Sequence, residues 1–101
     1  MSAYWIAHVT VTDPERYKFY QDRAIAAFTA HGASFLARGG ESEVLEGPAL
    51  ARHVVIQFPS LAAAKACYAS DAYREARLYR DGAATVHLVI VDGTETDPVR
   101  P

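Results

Sequence analysis

Three runs of the chain alternate in a way that leaves neither face polar. Tyr4 to Val11, Arg52 to Phe58 and Thr85 to Val91 are rich in β-branched and aromatic residues, the composition of strands. Side chains on a strand point alternately to opposite faces, so parity sorts them. In the first run Trp5, Ala7 and Val9 share one face, and Tyr4, Ile6, His8 and Thr10 the other. In the second, Val54, Ile56 and Phe58 oppose His53, Val55 and Gln57; in the third, Val86, Leu88 and Ile90 oppose His87, Val89 and Val91. Each run thus has one wholly apolar set and one apolar set seeded with a histidine.

Between the strands the period changes. Asp13-Pro14-Glu15 starts a helix: Asp13 caps the free amides, Pro14 suits the first helical position and Glu15 the positive end of the dipole. Tyr17, Tyr20, Ala24 and Phe28 follow at helical spacing, and Gly32 ends the helix in a left-handed conformation. His31 sits at that C-terminus, where its ring complements the dipole. Phe35 to Ala37 reads as another strand, continued by Val44-Leu45 beyond Arg38-Gly39-Gly40, where the glycine pair suggests a bulge or sharp bend. Ser60 caps a second helical stretch through the alanine-rich segment to Cys67, and Ser70-Asp71 restarts it as far as about Arg80.

The order is therefore β-α-β-β-α-β, the ferredoxin-like split βαβ pattern of an α+β domain with a four-stranded antiparallel sheet. Right-handed crossovers put both helical stretches on one face. The other face is left bare. It carries Tyr4, Ile6, Val55, Val89 and Val91, and apolar patches of that extent are rare on monomers. A second copy packed sheet to sheet covers it, so a homodimer is expected.

Composition narrows the rest. The 101 residues make one domain, assigned to residues 1–95, with a loose polar tail over 96–101. A net charge of -2 gives no basic patch for nucleic acid, and no apolar run approaches the roughly 20 residues that span a bilayer. No signal peptide is legible, and Cys67 alone allows neither an intrachain disulfide nor a thiolate zinc cluster. A cytoplasmic location is the default expectation.

Trp5-Ile6-Ala7, Asp13-Pro14-Glu15, Arg38-Gly39-Gly40, Leu45-Glu46-Gly47, Phe58-Pro59-Ser60 and Tyr68-Ala69-Ser70-Asp71-Ala72-Tyr73 occur here in that order. As a set, over residues 3 to 93, they resemble a bacterial domain-of-unknown-function family of the dimeric α/β-barrel superfamily. That superfamily also holds cofactor-independent monooxygenases, muconolactone isomerase, haem-degrading enzymes and stress-responsive barrels. The resemblance implies the fold and the dimer, in which the sheets close a barrel. It leaves the chemistry to the residues.

His8, His53 and His87 share the bare face, and Arg38 at the glycine bend could aim its guanidinium into the same space. The functional reading is a cofactor-independent, monooxygenase- or isomerase-like enzyme acting on a small hydrophobic acid or phenol. Arg38 would clamp the anion and His8 or His53 would carry a proton, while Tyr4, Ile6, Val55 and His87 line the ligand. Two other readings use the same residues: a non-catalytic ligand-binding or stress-associated dimer, and a purely structural one.

In the plainer reading the histidines are hydrogen-bonded core or interface residues and Arg38 pairs with Glu41 or Glu43. Three imidazoles could in principle bind zinc or iron, but the spacing carries no compact motif, so no metal is assigned. Nor is haem or any other cofactor: nothing matches the haem-binding branch beyond the fold. Tyr17, Tyr20 and Phe28 read as helical core, Cys67 as a small buried apolar residue, and Arg74, Arg77 and Arg80 as a solvated helix face.

Overall fold

The chain enters the sheet through its middle. In the structure, a computed structural model that describes residues 2–94, β1 (Ala3–Val11) pairs antiparallel with β3 (Arg52–Phe58) on one side and β4 (Ala84–Asp92) on the other. β2 (Ser34–Arg38) adds to β3 as an edge strand, which gives the order β2-β3-β1-β4. The helices α1 (Pro14–Ala30), α2 (Leu61–Ala69) and α3 (Asp71–Arg80) all pack on one face. This is the ferredoxin-like α+β fold, with its second helical stretch broken in two. The tail assigned to residues 96–101 lies outside the described residues.

Local chemistry sets the helix ends. Asp13 Oδ1 accepts from the Arg16 amide at 3.2 Å, and Ser60 Oγ from the Ala63 amide at 3.0 Å. Ser70 serves two helices: its hydroxyl accepts from the Tyr73 amide and donates to the Cys67 carbonyl, so α2 stops and α3 starts at one residue. Gly32 has φ of +72°, and His31 donates through Nδ1 to the Ala27 carbonyl at 2.8 Å.

Trp5 is the hub of the core. Its ring lies 5.0 Å from Tyr73 and 5.4 Å from Phe28 in edge contacts, and stacks on Phe58 at 5.7 Å. Aromatic pairs at such distances add about 0.5–1.5 kcal/mol each beyond their buried area. The parity reading is borne out. Trp5, Val9, Ile56 and Phe58 are buried beneath the helices, whereas Val89 and Val91 on the opposite face remain about half exposed, at 54% and 45%. Strand residues of that opposite face on β1, β3 and β4 include no Lys, Arg, Asp or Glu. Among the described residues no helix is long and apolar enough to cross a membrane.

One expected element is absent. Val44-Leu45 does not continue β2. The Gly39 amide makes a last bond to the His53 carbonyl at 2.9 Å, and Gly39 then takes φ of +70°. The chain leaves the sheet there, and residues 39–51 form an irregular loop in which Leu45 is 83% exposed.

Candidate functional site

The register sets His8 opposite His53 on one side and opposite His87 on the other, so the three imidazoles form one row across β3, β1 and β4. His8 Nδ1 and His53 Nδ1 are 2.8 Å apart, with the rings edge to face. At that distance one nitrogen donates and the other accepts, so the pair holds a single bridging proton. The loop that follows β2 overhangs the row. Between them lies an open cleft of about 620 Å³, whose lining includes the three histidines, Glu43, Leu45 and Glu46. Tyr4, Ile6 and Val55 lie on the same sheet face but outside this cleft. Among the described residues no group of three or more His, Cys, Asp or Glu is placed to hold a metal ion.

Arg38 is elsewhere, which corrects the expectation that it converges with the histidines. Phe35 pairs with Ile56 and Ala37 with Val55, so two positions on β2 advance against one on β3, and Leu36 is the extra residue of a bulge. The bulge shifts parity by one. Arg38 comes opposite Val54 and is turned to the helix side, where its guanidinium lies over the Phe35 ring at 4.2 Å. The expected pairing with Glu41 or Glu43 is not found either: the one ion pair among the described residues is Arg74–Asp71.

On the helix side Arg38 stands at the edge of a second cavity, a chamber of about 40 Å³ between the sheet, α1 and the end of α3. Its apolar walls include Trp5, Phe28, Phe35 and Leu88; its polar groups are Tyr17, Tyr20, Gln21, Arg38, Arg52 and Arg80. Among the described residues no carboxylate lines it. Arg52 opens β3 with the same parity as Val54 and so faces the core, and its Nε is buried without a hydrogen-bond partner. Gly39 leaves room for it, since a Cβ there would collide with the guanidinium. Arg80 Nη1 donates to the Tyr73 hydroxyl at 2.9 Å, and the Tyr73 and Tyr20 hydroxyls are 2.8 Å apart.

The electrostatics follow from burial. Desolvation pushes the Tyr73 and Tyr17 phenols above their ordinary value, with the neighbouring Tyr20 adding to it, so both remain O–H donors. Burial works against the Arg80 charge, but Tyr73 and Tyr20 outweigh it and the guanidinium stays protonated. Cys67, wholly buried beneath α2, has its thiol pushed up to about 11 by desolvation. It is the small apolar core residue the sequence predicted.

Arg80 was grouped with a solvated helix face; it instead reaches inward, half-buried. The signal was present in its spacing, because Arg80 is seven residues, two helical turns, from buried Tyr73. Arg52 was legible too, as the one cation with core-facing strand parity. Arg38 was not, since nothing in the sequence marks Leu36 as a bulge.

Comparison with solved structures finds the same fold. An RPA0582 protein of unknown function from Rhodopseudomonas palustris aligns at TM-score 0.77 and 20% identity, covering 94% of this chain and 84% of that one. SnoaB, a cofactor-independent oxygenase from Streptomyces nogalater, aligns at TM-score 0.62 and 14% identity, covering 97% and 98%. A hypothetical Arabidopsis thaliana protein aligns at TM-score 0.68 and 14% identity, covering 95% and 91%. No curated protein matches the chain. The family described as a domain of unknown function, DUF1330, matches residues 2–94, and the chain belongs to it.

Proposed function

We propose that this protein is a cofactor-independent enzyme of the monooxygenase or isomerase type, acting on a small hydrophobic acid or phenol bound at the helix-side chamber. One observation carries the reading: among the described residues the chamber's charged and phenolic groups are three guanidiniums and two tyrosines, with no carboxylate in the lining. Such a site favours the ionised form of an acid, phenol or enol and so makes the electron-rich species available for reaction. SnoaB, which shares the fold, is a cofactor-independent oxygenase. Arg38 keeps its role as an anion clamp, at the chamber mouth. His8 and His53, on the far side of the sheet, cannot reach the same ligand as Arg38. Their shared proton belongs to the open cleft.

The protein works as a homodimer joined through the bare face, where an uncharged apolar sheet surface meets its own copy.

A second reading, a ligand-binding dimer without turnover, is favoured by one feature. Among the described residues the chamber lining contains no histidine or carboxylate to act as a base, and burial holds the Tyr17 phenol protonated. Oxygen uptake and product mass, followed with hydroquinones, phenols and small aromatic acids in buffer without added cofactor, separate the two. Turnover that disappears in Arg52→Met supports the enzyme; binding with no product supports the second reading.

A further inference from the structure

We propose that Arg52 and Arg80, with Arg38 at the mouth, form a carboxylate clamp. The head of a small organic acid sits in the chamber against Arg52 Nε, and its hydrophobic body leads out past Ile25 and Arg38. This assignment rests on the chamber being the ligand site.

Arg52 Nε is the buried side-chain nitrogen or oxygen left without a partner among the described residues. A buried polar group in that state lacks the interaction its desolvation requires, and a charged one more so. Three guanidiniums border the same small space, and the described residues offer them phenols and an aromatic face but no counter-charge. Like charges held together without an anion destabilise a fold. An arrangement of this kind is explained by a ligand that completes it.

The chemistry of the ligand follows from the walls. A guanidinium presents a planar fork of donors that matches a carboxylate edge in bidentate fashion. The chamber's 40 Å³ suits a small planar head, and Trp5, Phe28 and Phe35 offer ring surfaces beside it. The opening is marked by exposure: Ile25 is 39% exposed and Arg38 is exposed, while Arg52 and Arg80 are half-buried. The body of the ligand therefore meets an apolar side chain on one side and the outermost cation on the other. Gly39 completes the clamp by holding the Arg52 head where a larger residue would displace it.

The test uses the full chain with benzoate, benzamide as its neutral match, and inorganic phosphate, read by thermal shift and calorimetric titration. At ten times its dissociation constant benzoate raises Tm by about 6 °C and benzamide does not. Arg52→Met weakens benzoate binding about tenfold or more and, by relieving the repulsion, raises the Tm of the free protein; Arg74→Met changes neither. Should Arg52→Met fail to fold, Arg38→Met at the exposed mouth still weakens benzoate.

Equal binding of benzamide overturns the clamp. So does phosphate binding without benzoate, which would make the site one for inorganic anions, or the absence of binding by all three. A lower Tm for Arg52→Met with unchanged benzoate affinity overturns it as well, because Arg52 would then be structural. Benzoate binding without turnover of any substrate leaves the clamp standing and rejects the enzyme. Turnover of a neutral phenol without benzoate binding does the reverse.

Discussion

The hydroxyl oxygens of Tyr20 and Tyr73 stand 2.8 Å apart inside the core and join α1 to α3. Arg80 donates to the Tyr73 oxygen, so the three groups form one hydrogen-bonded chain. Removing either hydroxyl strands a buried partner. Tyr20→Phe and Tyr73→Phe should each cost about 1–3 kcal/mol, with Tyr73→Phe the larger because Arg80 also loses its acceptor. The double variant should cost less than the sum of the two. Urea unfolding of the four proteins closes the cycle, and strict additivity would show that the hydroxyls are not coupled.

Stability should fall at alkaline pH. Cys67 has an ordinary value of 9.0 and is pushed up to about 11 by burial, and the phenols of Tyr17 and Tyr73 are raised above 10.0. A folded-state value above the unfolded one means that the native state keeps protons the unfolded chain releases. The stabilisation is complete below pH 9 and is lost as pH rises through about 11, with Cys67 alone accounting for ~2–3 kcal/mol. Denaturant unfolding at several pH values from 7 to 11 measures the slope. Cys67→Ala should flatten it between pH 9 and 11, and an unchanged slope would remove Cys67 as its source.

Val89→Lys places a charge in the middle of the bare face, opposite Ile6. The side chain is half exposed in a single copy, so the folded chain tolerates it. In a dimer joined through that face the two lysines would be buried in apolar surroundings. Light scattering during gel filtration should show a dimer for the native protein and a monomer for the variant, with a Tm for the native protein alone that rises with concentration. A native protein that is monomeric at micromolar concentration would reject the sheet-to-sheet dimer.

Gly39→Ala meets two obstacles. Its φ of +70° lies in the left-handed region, which costs a residue with a Cβ about 1–2 kcal/mol, and the new methyl collides with the Arg52 guanidinium. The expected result is a lower Tm together with weaker benzoate binding. At Gly40, where a Cβ meets nothing within 4 Å, the same change should leave binding intact. Equal effects at the two positions would show that the loop, rather than Arg52, is what responds.

Periodicity made most of the fold legible. The buried faces of β1 and β3, the stripe Tyr17-Tyr20-Ala24-Phe28 and the caps at Asp13 and Ser60 all stand where spacing puts them, because each depends on residues near in sequence. That the three histidines share one face was legible for the same reason, since parity on straight strands fixes the face; their alignment into one row depends on the register between strands, which parity does not set. The chamber was not legible as a whole. Its polar groups come from α1, β2, β3 and α3; the inward turn of Arg80 and Arg52 was written in their spacing, but the bulge that brings Arg38 to the same side has no sequence signature. Val44-Leu45 misled because two apolar residues look like a strand whether or not an edge is there to receive them.

The extra residue at Leu36 also bears on how the chain could change. Strand parity makes the two sides of a sheet separate addresses, and a bulge readdresses everything beyond it. Deleting Leu36 would remove the extra residue itself: Phe35 stays opposite Ile56, Ala37 opposite Val55 and Arg38 opposite Val54, so the guanidinium keeps its helix-side position on a now regular edge strand. Pairing Leu36 into the ladder, with no residue lost, would instead carry Arg38 opposite His53 and onto the face where another copy would dock. The side that an arginine takes at this edge is therefore set by whether the residue before it is bulged out, and a one-residue gap at Leu36 in related sequences leaves that side unchanged.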